Sequence, residues 1–137
     1  MRYLLDTCVV SDFFKGEKET LKRFQETGSE EMAISDISVM EIIFGLQLKP
    51  VAKRRLGQPF QELLQRIHVC PFDTRAARES GWIRARLKVR GTPIGPYDVL
   101  KAGTALARGL ILVSSNTGEF TRVEGLRLEN WRSSERQ

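Results

Sequence analysis

Apolar positions in this chain fall into short runs and helical stripes that alternate from one end to the other. Residues 2–5 (Arg-Tyr-Leu-Leu) read as a short buried strand closed by Asp6, and Val9, Val10, Phe13 and Phe14 then fall at helical spacing up to a Lys15-Gly16 C-cap. Residues 18–27 carry Leu21 and Phe24 on an otherwise charged helix, and Met32-Ala-Ile-Ser35 is a second strand. Ser38-x-x-Glu41 opens the next helix with capping-box spacing, with Ile42, Ile43 and Leu46 as its apolar face. Pro50 and the Gly57-Gln-Pro59 break predict an irregular or kinked region before the stripe of Phe60, Leu63, Leu64 and Ile67. His68 to Phe72 reads as a strand entering a turn, residues 74–90 as a strongly basic helix, and residues 91–96 as a Gly/Pro loop. A helix from Pro96 to Arg108, a buried strand at 110–113, a short helix within 116–120 and an edge strand within 126–131 complete the order.

Strands that alternate with helices predict an α/β fold: a central, mostly parallel sheet of four to five strands flanked by helices in three layers. Residues 1–131 form the expected single domain, and 132–137 an expected disordered polar tail. In such a sheet the working site lies beyond the carboxyl ends of the strands, where Asp6 and the Ser114-Ser-Asn116 turn fall.

Composition narrows the chemistry. The 137 residues are 41% hydrophobic and 28% charged, ordinary for a globular domain, and no apolar run is long enough to span a bilayer. The apolar stretch at the N-terminus is too short for a secretion signal, so a reducing cytoplasm is the expected compartment. One histidine, His68, and two distant cysteines, Cys8 and Cys70, cannot assemble a Cys/His zinc site, and no Gly-x-Ser-x-Gly turn supports serine hydrolysis. A net charge of +5 favours a polyanionic partner without demonstrating one.

Four acidic residues stand beside strand ends or helix starts: Asp6, Glu41, Asp98 and Glu119. Each has an ordinary reading. Asp6 or Thr7 can cap a helix, Glu41 can be the reciprocal half of a capping box with Ser38, and Asp98 and Glu119 suit the positive end of a helix. Together they suggest more. Two carboxylates 4 Å apart repel by about 4 kcal/mol at an effective dielectric near 20, against a domain stability of roughly 5–15 kcal/mol. A convergent set therefore stays partly protonated or holds a cation, and oxygen ligands suit Mg²⁺ or Mn²⁺. Asp98, Lys101, Ala105 and Arg108 share one largely polar helix face, which predicts a surface ion pair from Asp98 to Lys101, or a lysine free to touch phosphate.

The chain resembles the PIN-domain ribonucleases, specifically the VapC-type toxins of toxin–antitoxin pairs. The resemblance rests on Leu5-Asp-Thr7, on Ser38-Val-Met-Glu-Ile-Ile-Phe-Gly45 and on Ile94-Gly-Pro-Tyr-Asp-Val-Leu100. It continues through Ser114-Ser-Asn-Thr-Gly-Glu-Phe120 with Arg122-Val123 and ends on Leu126-Arg-Leu-Glu-Asn-Trp131. It implies a PIN-like sandwich in which Asp6, Glu41 and Asp98 are the core metal-binding acids. Glu119 would be a further catalytic and metal-binding carboxylate, Asn116 a neutral or water-held ligand, and Thr7 and Ser114 hydroxyls at the border of the site. Five residues in three places depart from the family pattern. Cys8 replaces a small polar residue, Ser114-Ser115 a commoner Thr-Asn, Lys101 an apolar residue and Gly103 an alanine.

The function so implied is hydrolysis of RNA phosphodiester bonds, with transfer RNA as the expected substrate and a divalent ion as cofactor. The basic helix at 74–90 and Lys53-Arg-Arg55 are either a phosphate track or ordinary solvated faces. The resemblance also implies an antitoxin protein that blocks the cleft, and a homodimer through helices around residues 42–67. The alternative is a non-catalytic adaptor that binds RNA or protein on the same fold. A flavodoxin-like phosphoacceptor is less suited, since no Gly-rich phosphate loop follows the first strand.

Overall fold

The computed structural model describes residues 1–133. The chain runs β1 (Tyr3–Leu5), α1 (Thr7–Lys15), α2 (Lys18–Glu26), a single 3-10 turn (Ser29–Glu31), β2 (Met32–Ser35), α3 (Asp36–Gln47) and α4 (Pro50–Arg66). It continues through β3 (His68–Cys70), α5 (Thr74–Arg90), α6 (Pro96–Arg108), β4 (Ile111–Val113), α7 (Thr117–Phe120) and β5 (Leu128–Glu129). The five strands lie in the order β3-β2-β1-β4-β5, and every neighbouring pair is parallel. No helix among the described residues is long and apolar enough to cross a membrane.

Both faces of the sheet are covered, which is why the central strands are apolar at every position rather than at alternate ones. Leu4, Ala33 and Leu112 point to one side, against Ile83 and Leu87 of α5, Ala102 and Ala105 of α6, and Phe120. Tyr3, Leu5, Ile34, Ile111 and Val113 point to the other, against Val9, Val10, Phe60, Leu63 and Trp131. At the β5 edge the buried Glu129 carboxylate accepts from Arg23 at 2.6 Å and from the Trp131 indole at 3.2 Å, so the two-residue strand is anchored by side chains.

Three local expectations change. The helix carrying Glu41 starts at Asp36, and its cap is Ser35, whose hydroxyl accepts from the Ser38 N–H at 3.1 Å. Ser38 is therefore inside the helix, and Glu41 is no capping-box partner. The expected break near residues 57–59 is absent, because α4 runs unbroken with Pro50 in its first turn and Pro59 inside. Pro59 forfeits one backbone bond, and burial of Phe60 and Leu63 on the sheet compensates. Arg132, expected in a loose tail, donates to both carboxylate oxygens of the buried Asp12 at 2.6 and 2.7 Å. Residues 134–137, the rest of that expected tail, lie outside the described residues.

The depth at which α6 sits is set by Gly103. A Cβ added there would collide with the Ser80 hydroxyl and lie 2.8 Å from the Ser80 nitrogen and 2.9 Å from the Ala76 carbonyl of α5. Gly103→Ala is expected to destabilise the protein by about 1–3 kcal/mol, since the contact is with backbone that cannot swing aside. Gly81→Ala, in α5 with nothing within 4 Å of the added methyl, is expected to stabilise by about 0.5–1 kcal/mol through helix propensity. Urea unfolding of the two variants checks the opposite signs, and equal shifts would contradict the close packing of α5 on α6.

Candidate active site

The parallel register pairs Leu5 of β1 with Val113 of β4, so the residues after each strand emerge side by side. Asp6 is the first residue past β1 and is buried. Its carboxylate accepts from the Thr7 N–H at 2.8 Å, the cap role expected of it. It also accepts from the Ser114 hydroxyl at 2.8 Å and from Lys101 Nζ at 2.7 Å. The Ser114 hydroxyl in turn accepts from the Asn116 N–H at 2.9 Å, tying the turn after β4 to the same point. Glu41, free of any capping duty, reaches in from α3, where its Oε1 accepts from the Thr7 hydroxyl and from Lys101 Nζ, each at 2.9 Å.

Asp98 enters from the first turn of α6, with Oδ1 3.2 Å from Lys101 Nζ. The Asn116 side-chain amide donates to Asp98 Oδ2 at 3.3 Å and to Glu119 Oε2 at 3.1 Å, so α7 closes on α6 through that amide. Gly95 permits this closure. A Cβ there would lie 3.2 Å from Asp98 Oδ2 and 3.9 Å from Glu119 Oε2. All the acids singled out in the sequence, with Thr7, Ser114 and Asn116, thus meet at the carboxyl edge of the sheet. His68 opens β3 at the opposite edge.

Lys101 takes a different place from the one expected. Its side chain is only 5% exposed, and the face it shares with Asp98 and Ala105 is turned inward. The ammonium has carboxylate oxygens of Asp6, Glu41 and Asp98 within 3.2 Å, which leaves it no approach to a phosphate. Burial disfavours its charge, but the neighbouring Asp6 and Glu41 carboxylates outweigh that and hold the ammonium protonated well above its usual range.

The outer end of the cluster is less well neutralised. Burial first, and then a hydrogen bond shared with Glu119, push the Asp98 carboxyl up to about 6, against a partial opposing pull from Lys101. Glu119 is held below its usual range by that same hydrogen bond and by the Asn116 amide. A proton on Asp98 is favoured by its contact with the Glu119 carboxylate, since two like charges this close resist being ionised together. Among the described residues no three Asp, Glu, His or Cys side chains are gathered for a metal ion, and the Lys101 ammonium stands among the inner oxygens. The chemistry of the outer donors, two carboxyls and an amide without nitrogen or sulfur ligands, fits one hard divalent ion.

Cys8, Ser115 and Gly95 also border the site, without having been assigned a role from the sequence. Cys8 Sγ lies 3.3 Å from the Ser115 hydroxyl and 3.7 Å from that of Ser114, beneath Asp6. For Cys8 and Ser115, positions just past two adjacent parallel strands are the signal that points to them. Beside Glu41 opens a groove of about 360 Å³ whose lining includes Thr7, Lys15, Lys49 and Arg55. Arg55 therefore faces the site, whereas Lys53 donates to Gln47 at 3.0 Å. On α5, Arg78, Arg84 and Arg86 are exposed, and Arg90 pairs with Glu124 at 3.4 Å.

The raised Asp98 carboxyl has a consequence for stability. Between its ordinary 3.8 and about 6 the folded protein holds a proton that the unfolded chain has released, so this residue's contribution falls as pH rises through that window. In EDTA, Tm of the unmodified protein is expected to drop relative to that of Asp98→Asn as pH goes from 4 to 7. A difference in Tm that stays constant over this range would contradict the raised Asp98 carboxyl.

The PIN domain family model matches residues 3–126. A tRNA(fMet)-specific endonuclease VapC of Salmonella typhimurium is 37% identical over 131 residues, spanning 96% of this chain and 98% of the relative. Ribonuclease VapC2 of Haemophilus influenzae is 35% identical over 132 residues with the same coverage. Among solved structures, DNA-bound VapBC from Salmonella typhimurium superposes with a TM-score of 0.85 at 39% identity, covering 96% of this chain and 98% of the other. A parallel five-stranded sheet, an acid-rich carboxyl edge and relatives aligned nearly end to end agree: the chain belongs to the PIN-domain family, within its VapC ribonucleases.

Proposed function

We propose that this chain is a divalent-metal-dependent endoribonuclease, the cytoplasmic toxin of a toxin–antitoxin pair, and that it hydrolyses phosphodiester bonds of transfer RNA. The observation that carries this reading is the meeting of Asp6, Glu41, Asp98 and Glu119, drawn from four separate elements, at one edge of the sheet. The name of the Salmonella typhimurium relative supports transfer RNA as substrate, and the VapBC composition of the similar structure supports a protein partner.

A Mg²⁺ or Mn²⁺ ion held by Asp98 and Glu119, with Asn116 beside them, would supply a bound water of lowered pKa and positive charge facing the scissile phosphate. The chain's own groups do the rest. Asp98, in the first turn of α6, stands where a carboxylate can take the proton of an attacking water. Asn116 fixes the spacing of Asp98 and Glu119, while Thr7 and Ser114 fix the rotamers of Glu41 and Asp6. Lys15, Lys49 and Arg55 line the groove that leads to Glu41 and offer charge to flanking phosphates. No imidazole enters the route, in keeping with the remote position of His68.

Ile43, Phe44, Leu48 and Val51 form an exposed apolar surface on α3 and α4 suited to a homodimer contact, and an antitoxin segment laid in the adjacent groove would close access to the acids. Purified protein incubated with transfer RNA is expected to cut it with Mn²⁺ or Mg²⁺ and to stop in EDTA. Asp98→Asn and Glu119→Gln are each expected to lower the rate by roughly 100-fold or more. Cleavage that persists in EDTA would sink the metal-dependent reading. Arg55→Glu is expected to weaken RNA binding and flatten the decline of log affinity with log salt, by up to about 0.7 for one lost phosphate contact on a single strand. An unchanged slope in a filter-binding titration would remove Arg55 from the track.

A further inference from the structure

We infer that the Lys101 ammonium is a resident cation of the carboxylate cluster, standing between Asp6 and Glu41 where a metal ion would otherwise be needed, so that the chain takes a single divalent ion at its Asp98–Glu119 end. The inference deepens the metal-dependent reading and rests on it. Three observations carry it. Lys101 Nζ lies 2.7 Å from Asp6, 2.9 Å from Glu41 and 3.2 Å from Asp98, so one positive charge touches three carboxylates from three elements. The side chain is 5% exposed, which makes the ammonium part of the interior rather than a mobile surface group. Glu119 and the outer oxygen of Asp98 are instead bridged by the neutral Asn116 amide, which brings no positive charge to that end.

Geometry makes the two cations exclusive at the inner position. Ligand oxygens stand about 2.0–2.1 Å from Mg²⁺, whereas those of Asp6 and Glu41 are spaced for a nitrogen at 2.7 to 2.9 Å. An ion could enter between them only if the lysine left, and its ammonium is held by Asp6, Glu41 and Asp98 together. The charges agree with one further ion. Four ionised carboxylates carry four negative charges, the ammonium removes one and a divalent ion two, so a substrate phosphate meets a site close to neutral. Lys101 is thus a positioning residue: it assembles Asp6, Glu41 and Asp98 before any metal arrives.

Mn²⁺ binding to the full chain and to Lys101→Met, counted by calorimetry and by the electron paramagnetic resonance signal of free Mn²⁺, tests this directly. The unmodified chain is expected to bind one Mn²⁺ and Lys101→Met one more. In EDTA the variant is expected to melt roughly 10 °C lower, because paired buried carboxylates have lost their counter-charge, and Mn²⁺ is expected to restore most of that loss. Two ions on the unmodified chain, an equal count on both, or a melting loss that Mn²⁺ leaves unrepaired would each overturn the inference. Should Lys101→Met not fold in either condition, the count on the unmodified chain decides, with one ion as the expected result and two as the contrary one. RNA cleavage scored in the same samples separates the two ideas. Failure to cut RNA contradicts the ribonuclease reading, whereas the ion count and the melting shift judge Lys101.

Discussion

Carboxylates gathered at the rim of a sheet repel one another, and the architecture around them has to supply the opposite charge. In this chain part of that charge is covalent. The Lys101 ammonium reaches inward from α6 and joins Asp6 of the β1 end to Glu41 of α3 and Asp98 of its own helix. Taking an ammonium out of water costs several kcal/mol, and removing either partner of such a buried pair leaves an uncompensated charge. The positions of α3 and α6 relative to the sheet edge are therefore linked through one nitrogen atom. Gly103, two residues on, lets α6 settle against the backbone of α5, so the helix that carries the cation is fixed in depth as well as in direction.

From this follows an asymmetry across the site. The inner acids are neutralised and hydrogen-bonded, with Asp6 accepting from Thr7, Ser114 and Lys101. The outer acids share only a neutral amide, and the Asp98 carboxyl is pushed up to about 6. Negative charge is least compensated at the Asp98–Glu119 end, whereas the groove opens on the other side of the cluster, beside Glu41. Parallel register does the remaining positioning, since Asp6 and Ser114 are neighbours only because β1 and β4 run side by side and end together.

Much of this was legible in the sequence because the relevant patterns are local. Leu4, Ala33 and Leu112 alternate with Leu5, Ile34 and Val113 in strands apolar on both faces, the mark of a doubly covered parallel sheet. The four acids announced themselves by following strand ends or opening helices. What stayed hidden depended on tertiary contact. Helical spacing put Asp98, Lys101, Ala105 and Arg108 on one face but could not say that this face meets the sheet edge instead of water, so a buried triple ion pair looked like a surface one. The Ser38-x-x-Glu41 spacing points to Ser38 as the cap, whereas β2 ends at Ser35 and it is the Ser35 hydroxyl that caps the helix. Pro59 read as a break because its cost is local while the compensating burial of Phe60 and Leu63 is not.

The most direct measurement is an anomalous-difference map at the manganese edge from crystals of the unmodified protein grown with Mn²⁺. The account predicts one manganese peak beside Asp98 and Glu119, with Lys101 Nζ still within hydrogen-bond distance of Asp6 and Glu41. A peak lying between Asp6 and Glu41, with the lysine turned away, would contradict it.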